Sequence, residues 1–143
     1  QLVQIMRGRV PVFGSGDLFS PQAAHDMLVS TGCIGVMFAR GAMGNPFIFR
    51  QTRELLQTGT YSEITPADKI ETAKKELMML CEKAGEQTAC REMRKRFAAY
   101  TKGIVGGAKL REQLVQASSI QDYERILKNF SLQAVYPHTD NNR

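Results

Sequence analysis

The fold is decided between Val10 and Phe47. The stretch opens Val10-Pro11-Val12-Phe13-Gly14-Ser15-Gly16-Asp17-Leu18-Phe19-Ser20-Pro21 and closes Ile34-Gly35-Val36-Met37-Phe38-Ala39-Arg40-Gly41-Ala42-Met43-Gly44-Asn45-Pro46-Phe47. Val10–Phe13 is a short apolar run ending in a glycine turn, which reads as a buried strand. Ser20-Pro21 then opens a helix, with serine as cap and proline in the first turn. Ala23, Ala24, Met27 and Leu28 supply its apolar face, and Gly32 closes it. A second buried strand, Ile34–Phe38, runs into the glycine-rich turn 39–44, and a helix follows from Phe47 to about Leu56. Two successive strand–glycine turn–helix units predict a parallel α/β sheet with its loops at the strands' C-terminal ends.

Two strands cannot close a barrel, and a complete (β/α)₈ barrel takes about 250 residues. Gln1–Gly8 reads as the end of a preceding helix. The expectation is therefore that these 143 residues form the C-terminal piece of a larger protein. Beyond Tyr61 only helices are predicted. Thr65-Pro66-Ala67-Asp68 makes a capping-box start to a helix reaching Gly85. Further helices are expected at about 88–102, 107–116 and 120–130, the last capped by Ser119. The expected architecture is α/β plus all-α: two βα units over 1–62, then a small antiparallel helical bundle over 63–130. Residues 131–143, polar and containing Pro137, read as a disordered tail.

Composition sets the outer limits. Hydrophobic residues make up 43% and charged residues 23%, a globular balance. The longest apolar run, Cys33–Ala39, is far short of the roughly 20 residues that span a bilayer. A soluble, cytoplasmic chain is expected. Three cysteines (Cys33, Cys81, Cys90) and two histidines (His25, His138) at irregular spacing predict neither a disulfide scaffold nor a metal site.

The glycine turns carry the strongest chemical signal. A phosphate bound at the end of a parallel strand needs backbone N–H groups facing it and no Cβ in the way. Gly14-Ser15-Gly16 and Arg40-Gly41-Ala42 both meet that requirement, and Arg40 adds a cation. Phosphate sites of (β/α)₈ enzymes are frequently built from the loops after the last two strands.

Charge adds a second signal. The net charge is +5, but residues 91–111 hold seven cations (Arg91, Arg94, Lys95, Arg96, Lys102, Lys109, Arg111) against Glu92 alone. At about 100° per residue, Arg91, Arg94, Lys95 and Lys102 fall on one face of the predicted helix. Met93, Phe97 and Tyr100 gather opposite, so Tyr100 reads as core and not as a stacking platform. A single-signed stripe of this kind suits an RNA phosphate backbone.

These residues resemble a known family. Gly14-Ser15-Gly16-Asp17-Leu18 is similar to the G-N-G-D-I turn of bacterial tRNA-dihydrouridine synthases. Met37 to Phe49 resembles their G-R-G-A-L-G-N-P-W-I-F segment. Arg91-Glu92-Met93-Arg94-Lys95, Tyr100-x-Lys102-Gly103 and Leu110-Arg111 resemble their helical tRNA-binding domain. The resemblance implies that residues 1–62 are the last two βα units of an FMN-binding (β/α)₈ TIM barrel, in an enzyme reduced by NADPH that delivers hydride to C6 of a flipped-out tRNA uracil while a cysteine protonates C5. It implies FMN-phosphate binding by Gly14, Ser15, Gly16, Asp17, Ala39, Arg40 and Gly41, and tRNA binding by Arg91, Arg94, Lys95 and Lys102. Ser15, Ala39, Phe47 and Arg96 stand where the family has asparagine, glycine, tryptophan and histidine. Ala39 is tolerable there only at negative φ.

The family's proton donor lies in an N-x-G-C-P loop that does not occur here, so no catalytic residue is expected in this chain and the chain alone should be inert. An exposed sheet edge could be hidden by the missing N-terminal barrel portion of the same protein, or by oligomerisation. Two alternatives remain at this point: another FMN- or phosphate-binding barrel oxidoreductase acting on a small molecule, and a non-catalytic RNA-binding module.

Overall fold

The computed structural model describes residues 2–6 and 8–135, with side chains through residue 130. The chain divides into two compact units, Gln1–Ile64 and Thr65–Arg143. Among the described residues no helix is long and apolar enough to cross a membrane.

The first unit begins with a short helix, α1 (Leu2–Met6), followed by β1 (Phe13–Ser15), α2 (Pro21–Thr31), β2 (Gly35–Met37), a 3₁₀ turn (Arg40–Ala42) and α3 (Phe47–Thr58). The two strands pair in parallel, Phe13 opposite Gly35 and Ser15 opposite Met37. Local signals set the helix ends. Ser20 accepts from the Ala23 N–H at 3.1 Å, with Pro21 in the first turn. Gly32 and Gly59 close α2 and α3 in the left-handed conformation. Leu18, Ala24, Cys33 and Ile48 form the small core.

Two expectations for the strands need correction. The first ladder is not Val10–Phe13 but Phe13–Ser15. Pro11 has no N–H to give, and pairing starts only where the Val12 carbonyl accepts from Ile34 N–H at 3.0 Å. The second is shorter than Ile34–Phe38, and neither strand is fully buried: Phe13 and Met37 are 61% and 60% exposed. Helix α2 packs against the sheet on the Gly14 side, while Phe13 and Met37 share the opposite, uncovered face.

The second unit is all helical: α4 (Pro66–Ala84), α5 (Glu86–Tyr100), α6 (Gly107–Gln116) and α7 (Ile120–Val135). Helix α4 starts with a full capping box, in which Thr65 Oγ1 accepts from Asp68 N–H and Asp68 accepts from Thr65 N–H. Gly85, at φ +79°, closes α4 and opens α5 as a one-residue connection. Met93, Phe97 and Tyr100 of α5 meet Leu110, Leu114, Tyr123 and Leu127 in a buried core. The Phe97 and Tyr123 rings stack at 5.0 Å, and the Tyr123 hydroxyl donates to the Cys90 carbonyl at 2.9 Å.

Four helix ends differ from expectation: α3 runs on to Thr58 and α5 starts already at Glu86, and the C-terminal ends of α5 and α7 also move. Helix α5 stops at Tyr100, because Lys102 N–H bonds Ala99 in a tighter turn and Gly103 turns left-handed at φ +80°. Helix α7 continues five residues past Phe130 to Val135, since residues 131–135 contain no glycine or proline. The rest of the expected tail, 136–143 with Pro137 and His138, lies outside the described residues.

Candidate functional site

The two glycine turns meet. In the first, Gly16 takes φ +125° and Asp17 φ +49°, a left-handed position that aspartate tolerates better than most residues. In the second, Gly41 packs against the backbone of Leu18 so closely that a Cβ would overlap the Leu18 carbonyl oxygen. Ser15 Oγ donates to the Met37 carbonyl at 3.3 Å, a second tie across the sheet. Ala39 has φ −113°, so its methyl carries no left-handed strain where the family pattern has glycine.

Between the turns lies a cleft of about 110 Å³, lined by backbone and side chains from Ser15 to Phe19 and by Met37, Ala39, Arg40 and Gly41. All the expected phosphate-site residues except Gly14 line it. Gly14 instead faces Met27 and Cys33 beneath the sheet. Arg40 Nη2 lies 3.1 Å from Asp17 Oδ1, and its guanidinium sits 5.7 Å from the centre of the Phe19 ring. Both side chains are mostly exposed, so their pairing is worth roughly 0–1 kcal/mol and yields readily to a ligand. The first N–H groups of the 3₁₀ turn, on Arg40 and Gly41, have no carbonyl behind them within the turn. Glycine backbone, open N–H groups and a guanidinium fit a phosphate. The volume is well below the roughly 300 Å³ at which small-molecule pockets begin, so it suits a phosphate end and not a whole flavin.

The basic residues of the second unit are less uniform in space than along the sequence. Arg91 and Lys95 are exposed on α5, and Lys102 is exposed in the turn after it, off the predicted stripe. Arg94 is half-buried: its Nε and Nη2 donate to the Ala117 carbonyl at 3.2 and 3.0 Å. Arg96 pairs with Glu76 of α4 and Glu92 of α5, which together hold its guanidinium above its ordinary pKa. Arg111 donates to the Thr101 carbonyl at 3.1 Å. Among the described residues, no carboxylate lies within ion-pairing distance of Arg91, Lys95, Lys102 or Lys109. Tyr100 is 2% exposed and its hydroxyl donates to Glu76 at 2.8 Å, so it is a core residue.

No thiol is poised for chemistry. Burial, aided by nearby acids, pushes the Cys81 and Cys90 thiols up, away from the reactive thiolate. Cys33 is buried at the foot of β2. His25 sits on α2, its Nδ1 3.1 Å from Asp26 Oδ1. Among the described residues no group of three His, Cys, Asp or Glu converges as a metal site.

Sequence reasoning missed the contributions of Leu18, Phe19, Glu76 and Ala117. Leu18 and Ala117 act through backbone carbonyls, which no side-chain pattern reveals. Glu76 could have been found as the acid on α4 within reach of a buried Tyr100.

Residues 1–136 match the family model described as dihydrouridine synthase (Dus). The chain is 52% identical over 130 residues to a probable tRNA-dihydrouridine synthase of Treponema pallidum, covering 90% of this chain and 38% of that protein. It is 40% identical over 119 residues to probable tRNA-dihydrouridine synthase 1 of Synechocystis, covering 82% and 33%. With tRNA-dihydrouridine synthase B of Pseudomonas putida the identity is 34% over 103 residues, covering 71% and 31%. The chain spans about a third of the length of these curated relatives.

Proposed function

The chain belongs to the dihydrouridine synthase family, and we propose that it is the C-terminal part of a flavin-dependent enzyme that reduces a tRNA uridine to dihydrouridine with FMN and NADPH. In this reading residues 1–62 are the last two βα units of the barrel, and 63–130 form the core of a tRNA-binding helical domain. Membership of the family and the names of the relatives support the reaction class. The observation that carries the cofactor assignment is the contact of Gly41 with the Leu18 carbonyl, which holds the two turns around a phosphate-sized cleft.

When bound, FMN supplies the hydride that saturates the uracil ring. The residues of this chain bind and orient. Backbone N–H groups of the two turns, including those of Gly16, Arg40 and Gly41, hold the phosphate end, with Ser15 and Ala39 lining the same cleft. Arg40 neutralises charge there, releasing Asp17 as it turns to the phosphate. In the second unit Arg91, Lys95 and Lys102 attract the RNA backbone, while Arg94 divides its donors between Ala117 and the ligand side. No proton donor is assigned within the chain, so the chain alone is inactive.

The test is made on the full-length protein. It should purify yellow and, given NADPH, form dihydrouridine in unmodified tRNA. Colourless protein, or flavin-loaded protein that leaves tRNA uridine unreduced, overturns the reading. Uridine reduction by residues 1–143 alone overturns the claim that the donor lies elsewhere.

A further inference from the structure

A polar cleft of about 270 Å³ lies between the start of α5 and the α6–α7 connection, lined by Gln87, Thr88, Cys90, Arg91, Arg94 and Ser118. Several donors of its lining make no hydrogen bond to the described protein and face the cleft or solvent. No described protein group takes the Gln87 amide, the Thr88 hydroxyl or the Arg91 guanidinium. Arg94 spends Nε and Nη2 on the Ala117 carbonyl, and this anchor fixes the plane of the guanidinium with Nη1 still free to donate. Ser118 turns its own hydroxyl to Asp122 at 3.2 Å.

The two neighbouring acids already have partners, one of them Ser118 at the cleft's edge. Asp122 accepts from Ser118 and Ser119 and pairs with Arg125, and Glu86 accepts from the Ile120 N–H at 2.8 Å. Neither carboxylate lines the cleft. Two guanidiniums, an amide and a hydroxyl converging without a lining acid are the donor set that takes up a phosphodiester. We propose that this cleft is a discrete seat for one backbone phosphate of the bound RNA, an inference that rests on the tRNA reading above. It separates two roles within the basic cluster. Arg91 and Arg94 grip one phosphate at short range together with neutral donors, whereas Lys95 and Lys102 lie outside the cleft and act through charge alone.

The experiment measures binding of an unmodified tRNA transcript to the full-length protein by fluorescence anisotropy across a salt series. Wild type is compared with Arg91→Gln, Thr88→Val and Lys95→Gln, each checked for folding by thermal melting. Arg91→Gln should bind about tenfold more weakly, with a log–log salt slope shallower by about 0.7–0.9. Thr88→Val, isosteric and uncharged, should weaken binding by about threefold with the slope unchanged, because it removes a hydrogen bond and no charge. Lys95→Gln should reduce the slope with a smaller loss of affinity than Arg91→Gln. Wild-type affinity in Thr88→Val, or a loss at Arg91→Gln no larger than at Lys95→Gln, overturns the seat while leaving RNA binding intact. Absence of salt-sensitive tRNA binding by wild type overturns both.

Discussion

Gly41 lies flush against the carbonyl of Leu18, leaving no room for a side chain where the two strand-end turns touch. Neither residue is charged, yet their contact sets the width of the cleft that Arg40 and Asp17 border. Gly41→Ala forces the second turn away from the first. Backbone carbonyls cannot rotate aside as a flexible side chain can, so a cost of about 1–3 kcal/mol is expected. Thermal melting should register that loss, and flavin retention by the full-length protein should fall with it. Full flavin loading in a stably folded Gly41→Ala variant would show that the contact does not shape the phosphate site.

Arg94 is the clearest case in which a residue read as an RNA cation also has a structural task. Its two hydrogen bonds to Ala117 tie α5 to the end of α6. Arg94→Ala should cost roughly 1.5–3 kcal/mol, the range for hydrogen bonds with one charged partner. Arg94→Lys restores the charge without the planar fork and should recover only part of the stability. Equal melting temperatures for Arg94→Lys and wild type would exclude the fork as the important feature.

What the sequence made legible was local. Ser20-Pro21, Thr65 with Asp68, Ser119 and the glycines 32 and 85 act within a few residues of themselves, and each sits at the helix end it predicts. The two strand-end turns were legible as turns for the same reason: glycines after an apolar run end a strand, and Gly16 does so at φ +125°. What escaped was set by contacts distant in sequence. The Leu18–Gly41 approach joins residues 23 positions apart through backbone alone. The predicted four-cation stripe required α5 to continue through Lys102, but the Thr101 hydroxyl bonds the Phe97 carbonyl at 2.7 Å as the chain turns away. Strand burial was misjudged because an apolar run does not say how many of its faces are covered.

The Glu76–Arg96–Tyr100 cluster predicts a separation of charge from function. Arg96 contributes to the basic count between residues 91 and 111, but two carboxylates already compensate it. Arg96→Gln should therefore leave the salt slope of tRNA binding where it stands in wild type. Glu76→Ala should destabilise the second unit by about 1–3 kcal/mol, since it strips the acceptor from a buried phenol. A slope reduced by Arg96→Gln as much as by Lys95→Gln would reverse this assignment.

Alkaline pH provides a test of the core. Burial pushes the Tyr123 phenol up to about 12, with Cys90 adding to the effect, and burial and Glu76 also push Tyr100 up. An unfolded tyrosine ionises near pH 10. Below that value both states are protonated and the tyrosines impose no pH dependence. Between about pH 10 and 12 the unfolded chain loses protons that the folded chain retains, so stability should fall as pH rises. Melting temperature should fall gently from about pH 8.5, where the thiols of Cys81 and Cys90 ionise first in the unfolded chain, and more steeply beyond about 10 as the tyrosines follow. In Tyr123→Phe the drop should be shallower, though the variant starts lower because it lacks the bond to Cys90. An equally steep drop in Tyr123→Phe would show that Tyr123 is not a source of the linkage.

The exposed cations with no carboxylate in ion-pairing range should carry most of the electrostatic attraction for RNA. Arg91, Lys95 and Lys102 meet that description even though Lys102 left the helix face on which it was expected. Each phosphate neutralised contributes about 0.9 to the slope of log affinity against log salt on a duplex. Replacing all three by glutamine should lower the slope by about 2–3 and leave the melting temperature close to wild type, because none of them anchors the fold. Lys109 is exposed as well, at the start of α6, and provides the comparison. If Lys109→Gln alone lowers the slope as far as the triple variant does, the RNA path follows α6 and not α5.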